Sequence, residues 1–466
     1  MFLAKFCCPF CFFIIIKKKF VLSSFDQNIV FVKLISLSIP FMILINAYIS
    51  RAIAGFWLNP GAILSLFLFL YTLVPLLVGF FVPVSIFALL YIYAFSFVFV
   101  VSSIPFCWRH AAGMNDLKPC AESVFAKKRL YIIFLFVSLA SIFLIVLGMF
   151  QQGFNLFDGR SLFQLAGSYA AKRYSGEMQS NVFSRAGLVF CYPAAVLGGF
   201  VLGVRRRGGT RGVVLLLSFA PSLFIMVFQS AKGMFFLSGA FFLGSLLVVK
   251  IYNKDLTVFH LSDLLTFSKY SLVATFFITI SFLSRGIYML DLESAVQKLL
   301  RYFVSYSSGH LYAFSDWFVD RYFGDAIFTY MQESLTLGFY TFMSVFRLFG
   351  DDRYVPHGVY EEFFSFGPFL KSNIYTAFRG LIFDYGLVGS LIFVFMIGLI
   401  VHFCFYHLLK GKLNPFLICF FVFFVGFVYQ IYIISTLTWL VIPASFLVSV
   451  FLIFFSVVSF DWIKYE

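Results

Sequence analysis

The chain has 466 residues, 62% of them hydrophobic and only 12% charged, with a formal net charge of +14. Its mean hydropathy of +0.98 excludes a soluble globule of this size, and apolar runs of about 20 residues recur along the whole length, the pattern of a polytopic α-helical membrane protein. The basic residues fall largely in short loops between those runs, so the charge reads as an orientation signal and no nucleic-acid partner is expected.

In chain order, spans are expected at roughly 29–50, 58–79, 82–103, 130–150, 183–204, 212–229, 233–250, 265–283, 380–404, 413–434 and 437–458. The strongest orientation mark is RRRGGTR, Arg205 to Arg211, which the positive-inside rule places in the cytoplasm. The basic stretches Cys107–Arg129, Lys250–Asp255 and Lys410–Lys412 agree with it after alternation. Counting back puts the residues before the first span outside, whereas Lys17–Lys19 favour the inside. Residues 2–16 are apolar but short and interrupted by Lys5, so they are either a weak further span or none. The fold class is therefore all-α, with 11–12 transmembrane helices and one large outer loop. Three parts follow: helices with short loops over 1–283, the loop over 284–379, and C-terminal helices over 380–466. None of the eight cysteines falls in an outer segment, so no disulfide framework is expected. Cys7, Cys8 and Cys11 lie close together without further ligands at zinc spacing, and no metal site is expected.

The loop differs chemically from the rest. It carries ten acids, Asp291, Glu293, Asp316, Asp320, Asp325, Glu333, Asp351, Asp352, Glu361 and Glu362, half of the 20 in the protein. Loops of this length are usually functional. Its stretch Glu333–Gly350 is apolar enough to lie in the membrane interface or re-enter the bilayer. Tyr306–Phe318 combines aromatics with small polar residues, a composition that suits sugar stacking and interface anchoring equally. No Walker loop, dinucleotide fingerprint, HExxH or GxSxG is present. An outward-facing enzyme would have to use an activated substrate delivered through the membrane, and no cofactor is expected.

Cations at the outer rim of spans run against the orientation rule. Arg285 follows a span, Arg379 precedes one, and Lys232 sits between two. Converging, they would bind an anion such as phosphate, which guanidinium holds with paired donors; singly, each would snorkel or pair with a local acid. Arg353 adds a cation within the loop. His357 and Glu361, with Glu362 as a weaker choice, are candidates for a general base toward an attacking hydroxyl. The alternative is that these charges solvate an exposed loop.

The run Asn373, Tyr375, Thr376, Arg379, Asp384, Gly386, Gly389 resembles the N-x-Y-T-x-x-R-x-x-x-x-D-x-G-x-x-G stretch of Wzy-type O-antigen polymerases, the oligosaccharide repeat-unit polymerases. Tyr306–Phe318 is similar to a segment earlier in that family's outer loop. The turn Ser230-Ala231-Lys232-Gly233 resembles its G-S-R-G-like turn, with Lys232 where Arg is more usual. The motif covers about forty residues and the topology most of the chain. The resemblance implies a GT-C-like membrane glycosyltransferase at the periplasmic face of the bacterial inner membrane, without a metal. It would move a growing glycan from undecaprenyl pyrophosphate to the non-reducing end of another lipid-linked repeat unit. Arg379 would hold the pyrophosphate, Asn373 and Tyr375 would position it, and Asp384 would orient Arg379 or engage a partner elsewhere. The implied partners are an undecaprenyl-pyrophosphate-linked oligosaccharide, membrane lipids and a chain-length regulator protein. An O-antigen ligase would use the same donor. A glycolipid flippase without chemistry would place its charges within spans around a cavity, whereas here the spans are almost free of charge.

Topology is testable directly. Reporter fusions at Gly208 should read cytoplasmic and fusions at Asp325 periplasmic; the same side for both would remove the loop as the functional face.

Overall fold

The computed structural model describes residues 25–458 apart from 114–119, 155–158, 160, 175–180, 205–209, 230, 259–260, 284–286, 288–289, 325, 329, 331–334 and 356–358. Arg285, His357, Lys17–Lys19, the apolar stretch 2–16 and most of the RRRGGTR run lie outside the described residues. The helices are α1 (Phe25–Ala54), α2 (Pro60–Val78), α3 (Ile86–Val101), the short α4 (Trp108–Gly113) and α5 (Ala121–Phe125), α6 (Lys128–Gln151), α7 (Leu162–Tyr174), α8 (Val182–Val204), α9 (Arg211–Phe228), α10 (Lys232–Tyr252) and α11 (Leu261–Leu283). Then come α12 (Leu292–Phe323), α13 (Met343–Leu348), a small ribbon of β1 (Phe364–Phe366) and β2 (Leu370–Ser372), α14 (Thr376–Leu409), α15 (Pro415–Gln430) and α16 (Val441–Ile453).

Among the described residues, seven helices are long and apolar enough to cross a membrane: α1 from Phe31, α2, α6, α8, α9, α10 and α14. Shorter apolar helices cover the remaining predicted spans: α3, Ser271–Leu283 of α11, α15, and α16 continued to Val457. The chain is thus a mostly helical multi-pass membrane protein. Local chemistry sets several starts. Asn59 accepts from the Ala62 amide ahead of Pro60, and Asn414 accepts from the Phe416 amide ahead of Pro415, side-chain caps combined with a proline that needs no amide partner. α8 lies deepest, and Gly199 lets it touch the backbone of α10: a Cβ there would stand 2.6 Å from the Phe242 carbonyl oxygen.

Hydrogen bonds sort the connections into two ends. At the basic end the Leu58 amide donates to Leu256 O, Tyr252 to Lys412 O, and Lys127 to Val457 O. At the acidic end Lys33 donates to Gly79 O, Val82 O and the Tyr312 hydroxyl, the Ser85 amide donates to Ser315, and the Ala377 amide to Ile431 O. Lys33 therefore anchors the start of α1 at the end that carries the long loop, the side that counting back from RRRGGTR gives.

The loop is tied into the bundle. α12, capped by Asp291 on the Ser294 amide and closed by a left-handed Gly324, buries its stretch Ser308–Phe318 between spans. One departure from an all-α fold is the antiparallel ribbon, with Phe364 opposite Ser372. The stretch 335–349 exposes Leu335, Leu337, Leu348 and Phe349; Leu335 lies beside Gly386 and continues the exposed stripe Val388, Ile392, Met396, Ile400 of α14.

α14 is not one rod. Gly386 has φ 70° and ψ 178°, so Thr376–Tyr385 turns away from the span that follows. Only glycine occupies that region without strain. Gly386→Ala should cost about 1–3 kcal/mol, read as a lowered melting temperature in detergent. Gly212→Ala, where an added Cβ meets nothing within 4 Å, should stay within about 0.5 kcal/mol of the parent.

Candidate functional site

Asp384 is fully buried, so its carboxylate must find donors in the protein. It accepts from Thr336 Oγ1 (2.5 Å), the Tyr340 amide (3.0 Å), the Thr341 amide (2.6 Å) and Thr341 Oγ1 (2.5 Å). The Thr336 amide donates back to Phe383 O at 3.1 Å. Its partners are thus the turn 336–341, and not Arg379, the orientation partner considered from sequence. The turn is in turn held by Ser435 Oγ, which donates to Thr341 O.

That clamp presents Tyr340, whose ring stacks on Tyr360 (5.7 Å, 17°) and on Phe383 (5.5 Å, 29°). Tyr360 and Phe383 belong to the box around Arg379. The guanidinium carbon lies 4.0 Å from the Tyr360 ring centre, 4.4 Å from Tyr375, 5.3 Å from Phe383, 5.4 Å from Trp317 and 5.5 Å from Tyr330. Aromatic faces stabilise a desolvated cation by about 2 kcal/mol or more, and Arg379 is only 2% exposed. Its carboxylate partner is Glu362, reached by Nη2 alone at 3.1 Å. No described residue accepts from Nε or Nη1, both buried. Donors in that state are costly. Both bidentate forks of a guanidinium include Nη2, so an incoming anion would share that nitrogen with Glu362 or displace it.

Tyr375, at the start of α14, donates to Glu362 O at 3.1 Å; burial pushes its hydroxyl up to about 12, against the pull of the Arg379 charge. Behind it, Asp316 of α12 accepts from the amides of Ile327 and Phe328 and from Tyr330, and burial still raises its carboxyl above the ordinary range. Three non-glycine residues near the box hold left-handed backbone: Leu337 (φ 50°), Val359 (φ 71°) and Thr376 (φ 66°). Such strain gathers where surrounding structure fixes a functional geometry.

The other sequence candidates fall elsewhere. Lys232 is buried with its Nζ 3.9 Å from the Phe282 ring centre and 5.8 Å from Tyr306. Tyr306 and Trp317 lie eleven residues apart on α12, about 16 Å along the axis, so Lys232 and Arg379 do not meet at one point. Arg353 is exposed, paired with Asp351 and seated 3.7 Å over Phe339, one residue from Tyr340. Asn373 is half-buried beside Ser372. Glu361 points to solvent and receives the Tyr354 hydroxyl at 3.4 Å, while its neighbour Glu362 turns inward to Arg379. Sequence reading missed Tyr360, Tyr330 and Phe383 as cage members; no spacing marks them, because three separate segments supply them.

No family model matches the chain, and no curated protein or solved structure matches it.

Asp384→Ala leaves the Tyr340 and Thr341 amides without their acceptor, at about 1–3 kcal/mol each. The variant should show a lowered melting temperature and early protease cleavage within 336–341. A melting curve and cleavage pattern like the parent's would mean that the clamp does not organise this region.

Proposed function

We propose that the chain polymerises lipid-linked oligosaccharide repeat units, transferring a growing glycan from an undecaprenyl-pyrophosphate donor at the periplasmic face of a bacterial inner membrane. On this reading the basic end is cytoplasmic, the acidic end periplasmic, and the chain makes 11–12 passes in a GT-C-like arrangement. A chain-length regulator is its protein partner, and the exposed apolar stripe from Leu335 to Ile400 meets lipid. The observation that carries the proposal is Arg379: a buried, permanently charged guanidinium, two of whose nitrogens have no acceptor among the described residues, at the acidic end, inside the stretch that resembles the polymerases.

The chemistry follows from the charge. A sugar–pyrophosphate bond is already activated, and its cleavage builds negative charge on the departing oxygen. A fixed cation in a water-poor box stabilises that charge without reorganising. Glu362, 23% exposed and holding one nitrogen, keeps the guanidinium compensated while no anion is bound and yields to the pyrophosphate. Tyr375 keeps Glu362 in register through its backbone carbonyl. A ligase would use the same donor site and differ in its acceptor; a flippase would need no anion held at one end.

The test is chain length. Deletion of the gene should give lipopolysaccharide carrying a single repeat; bare core would indicate a ligase or flippase instead. Arg379→Ala should be inactive and Arg379→Lys badly impaired, with both proteins inserted, because a point charge does not reproduce the planar fork. Normal long chains from the Lys variant would reduce Arg379 to an interface anchor, and long chains from the Ala variant would end the proposal.

A further inference from the structure

α2 contains Pro75, which has no backbone N–H, so the Tyr71 carbonyl four residues earlier is left without its helical donor. His310 of α12 supplies the missing hydrogen: its Nε2 lies 3.2 Å from Tyr71 O. A carbonyl only accepts, so Nε2 carries the proton and Nδ1 of the neutral ring presents a lone pair. His310 is 4% exposed, and no described residue donates to Nδ1. Burial lowers the imidazole to about 4, which keeps it neutral near pH 7. One helical carbonyl thus fixes the tautomer and leaves Nδ1 a buried acceptor to which no described residue donates.

The surroundings suit a sugar. Tyr432 stands edge-on to the imidazole at 4.9 Å, with Tyr71 4.6 Å and Tyr429 5.5 Å from Tyr432. All three tyrosines are half-buried, and rings of this kind are the groups on which the C–H faces of a pyranose pack. Tyr306, His310, Phe314 and Trp317 follow one another at helical spacing along α12. The imidazole therefore lies between Tyr306, beside Lys232, and Trp317, beside Arg379. His310 and Trp317 are two turns apart on one face, on the order of 10 Å. A base–hydroxyl hydrogen bond, an attack distance and a departing phosphate held by a cation together span a length on the order of 10 Å.

We infer that His310 Nδ1 receives the acceptor hydroxyl of the second lipid-linked glycan and removes its proton during transfer. The inference rests on the glycosyl-transfer reading above. The hydroxyl oxygen forms the new bond to the anomeric carbon, and the bond from that carbon to the pyrophosphate oxygen breaks with its electron pair leaving on the pyrophosphate. The proton passes to Nδ1, giving an imidazolium that later releases it to solvent. A base of this strength removes the proton late, once the oxygen has begun to bond.

The experiment separates this role from that of a plug for the Tyr71 carbonyl. Chain length is read in the deletion strain carrying the parent, Arg379→Ala, His310→Gln, Pro75→Ala, or Pro75→Ala with His310→Leu, at matched membrane levels. Gln keeps a donor for Tyr71 O but has no basic nitrogen, and Pro75→Ala restores the helical donor and makes a plug unnecessary. Polymerisation should fall about 10²-fold or more in His310→Gln and in the double variant, while Pro75→Ala alone retains long chains. Long chains from either His310 variant would overturn the inference. If His310→Gln does not accumulate, the double variant decides alone. A parent that fails to lengthen chains would instead overturn the glycosyl-transfer reading.

Discussion

A carboxylate taken out of water has to be surrounded by donors, and at the acidic end that demand organises everything around it. Asp384 gathers two hydroxyls and two amides from the turn 336–341, so a stretch with little secondary structure of its own acquires one position. Tyr340 then stacks on Tyr360 and Phe383, and these rings, with Tyr375, Trp317 and Tyr330, form the box in which Arg379 remains charged. The acid and the base of the motif thus have different tasks. One fixes the walls, and the other is what the walls enclose.

A second constraint acts through the backbone. Near the acidic end of α2, Pro75 frees the Tyr71 carbonyl, while Pro75 O and Gly79 O, which already accept from the Gly79 and Val82 amides, offer second lone pairs. α12 meets them with side chains: His310 on Tyr71 O, and Tyr312 on Pro75 O (2.9 Å) and Gly79 O (2.6 Å). Lys33 adds its ammonium to Gly79 O, Val82 O and the Tyr312 hydroxyl. An unsatisfied backbone group inside a membrane protein costs several kcal/mol; the freed Tyr71 carbonyl and the two carbonyls near the end of α2 are the docking points of the long loop helix. That docking sets the positions of His310 and Trp317, two turns apart, relative to the bundle.

Arg379 itself is balanced short of full satisfaction. Five rings and one carboxylate oxygen compensate its charge, yet Nε and Nη1 have no acceptor among the described residues. A guanidinium serving only to pin the loop would gain by pairing those nitrogens, since each unpaired buried donor costs about 1–3 kcal/mol. Glu362, partly exposed and bound through a single nitrogen, is the component whose displacement costs least. The left-handed backbone at Thr376 and Val359, on either side of Glu362 in the chain, belongs to the same picture of a region held in place by its surroundings.

Hydropathy alone located the helices of the spans, though not α7, α12 or α13 in the loops, because a segment that must cross hydrocarbon has to be apolar over a fixed length and satisfy its backbone internally. Each predicted span falls on a helix, and the end carrying Lys33 matches the count back from the basic loops. The motif stretch was also legible, through polar residues placed where hydropathy should rise. What the sequence alone did not determine was who meets whom. Glu362 rather than Glu361 faces Arg379, Asp384 serves the turn 336–341, and Lys232 lies well along α12 from Arg379. The span expected at 380–404 is a kinked helix from Thr376, because Gly386 admits a backbone turn that hydropathy does not register. Those outcomes depend on loops closing across tens of residues and on a carbonyl freed in a different helix. Only the tertiary structure brings such groups together, since the energy that selects each partner arises from contacts between segments distant in the chain.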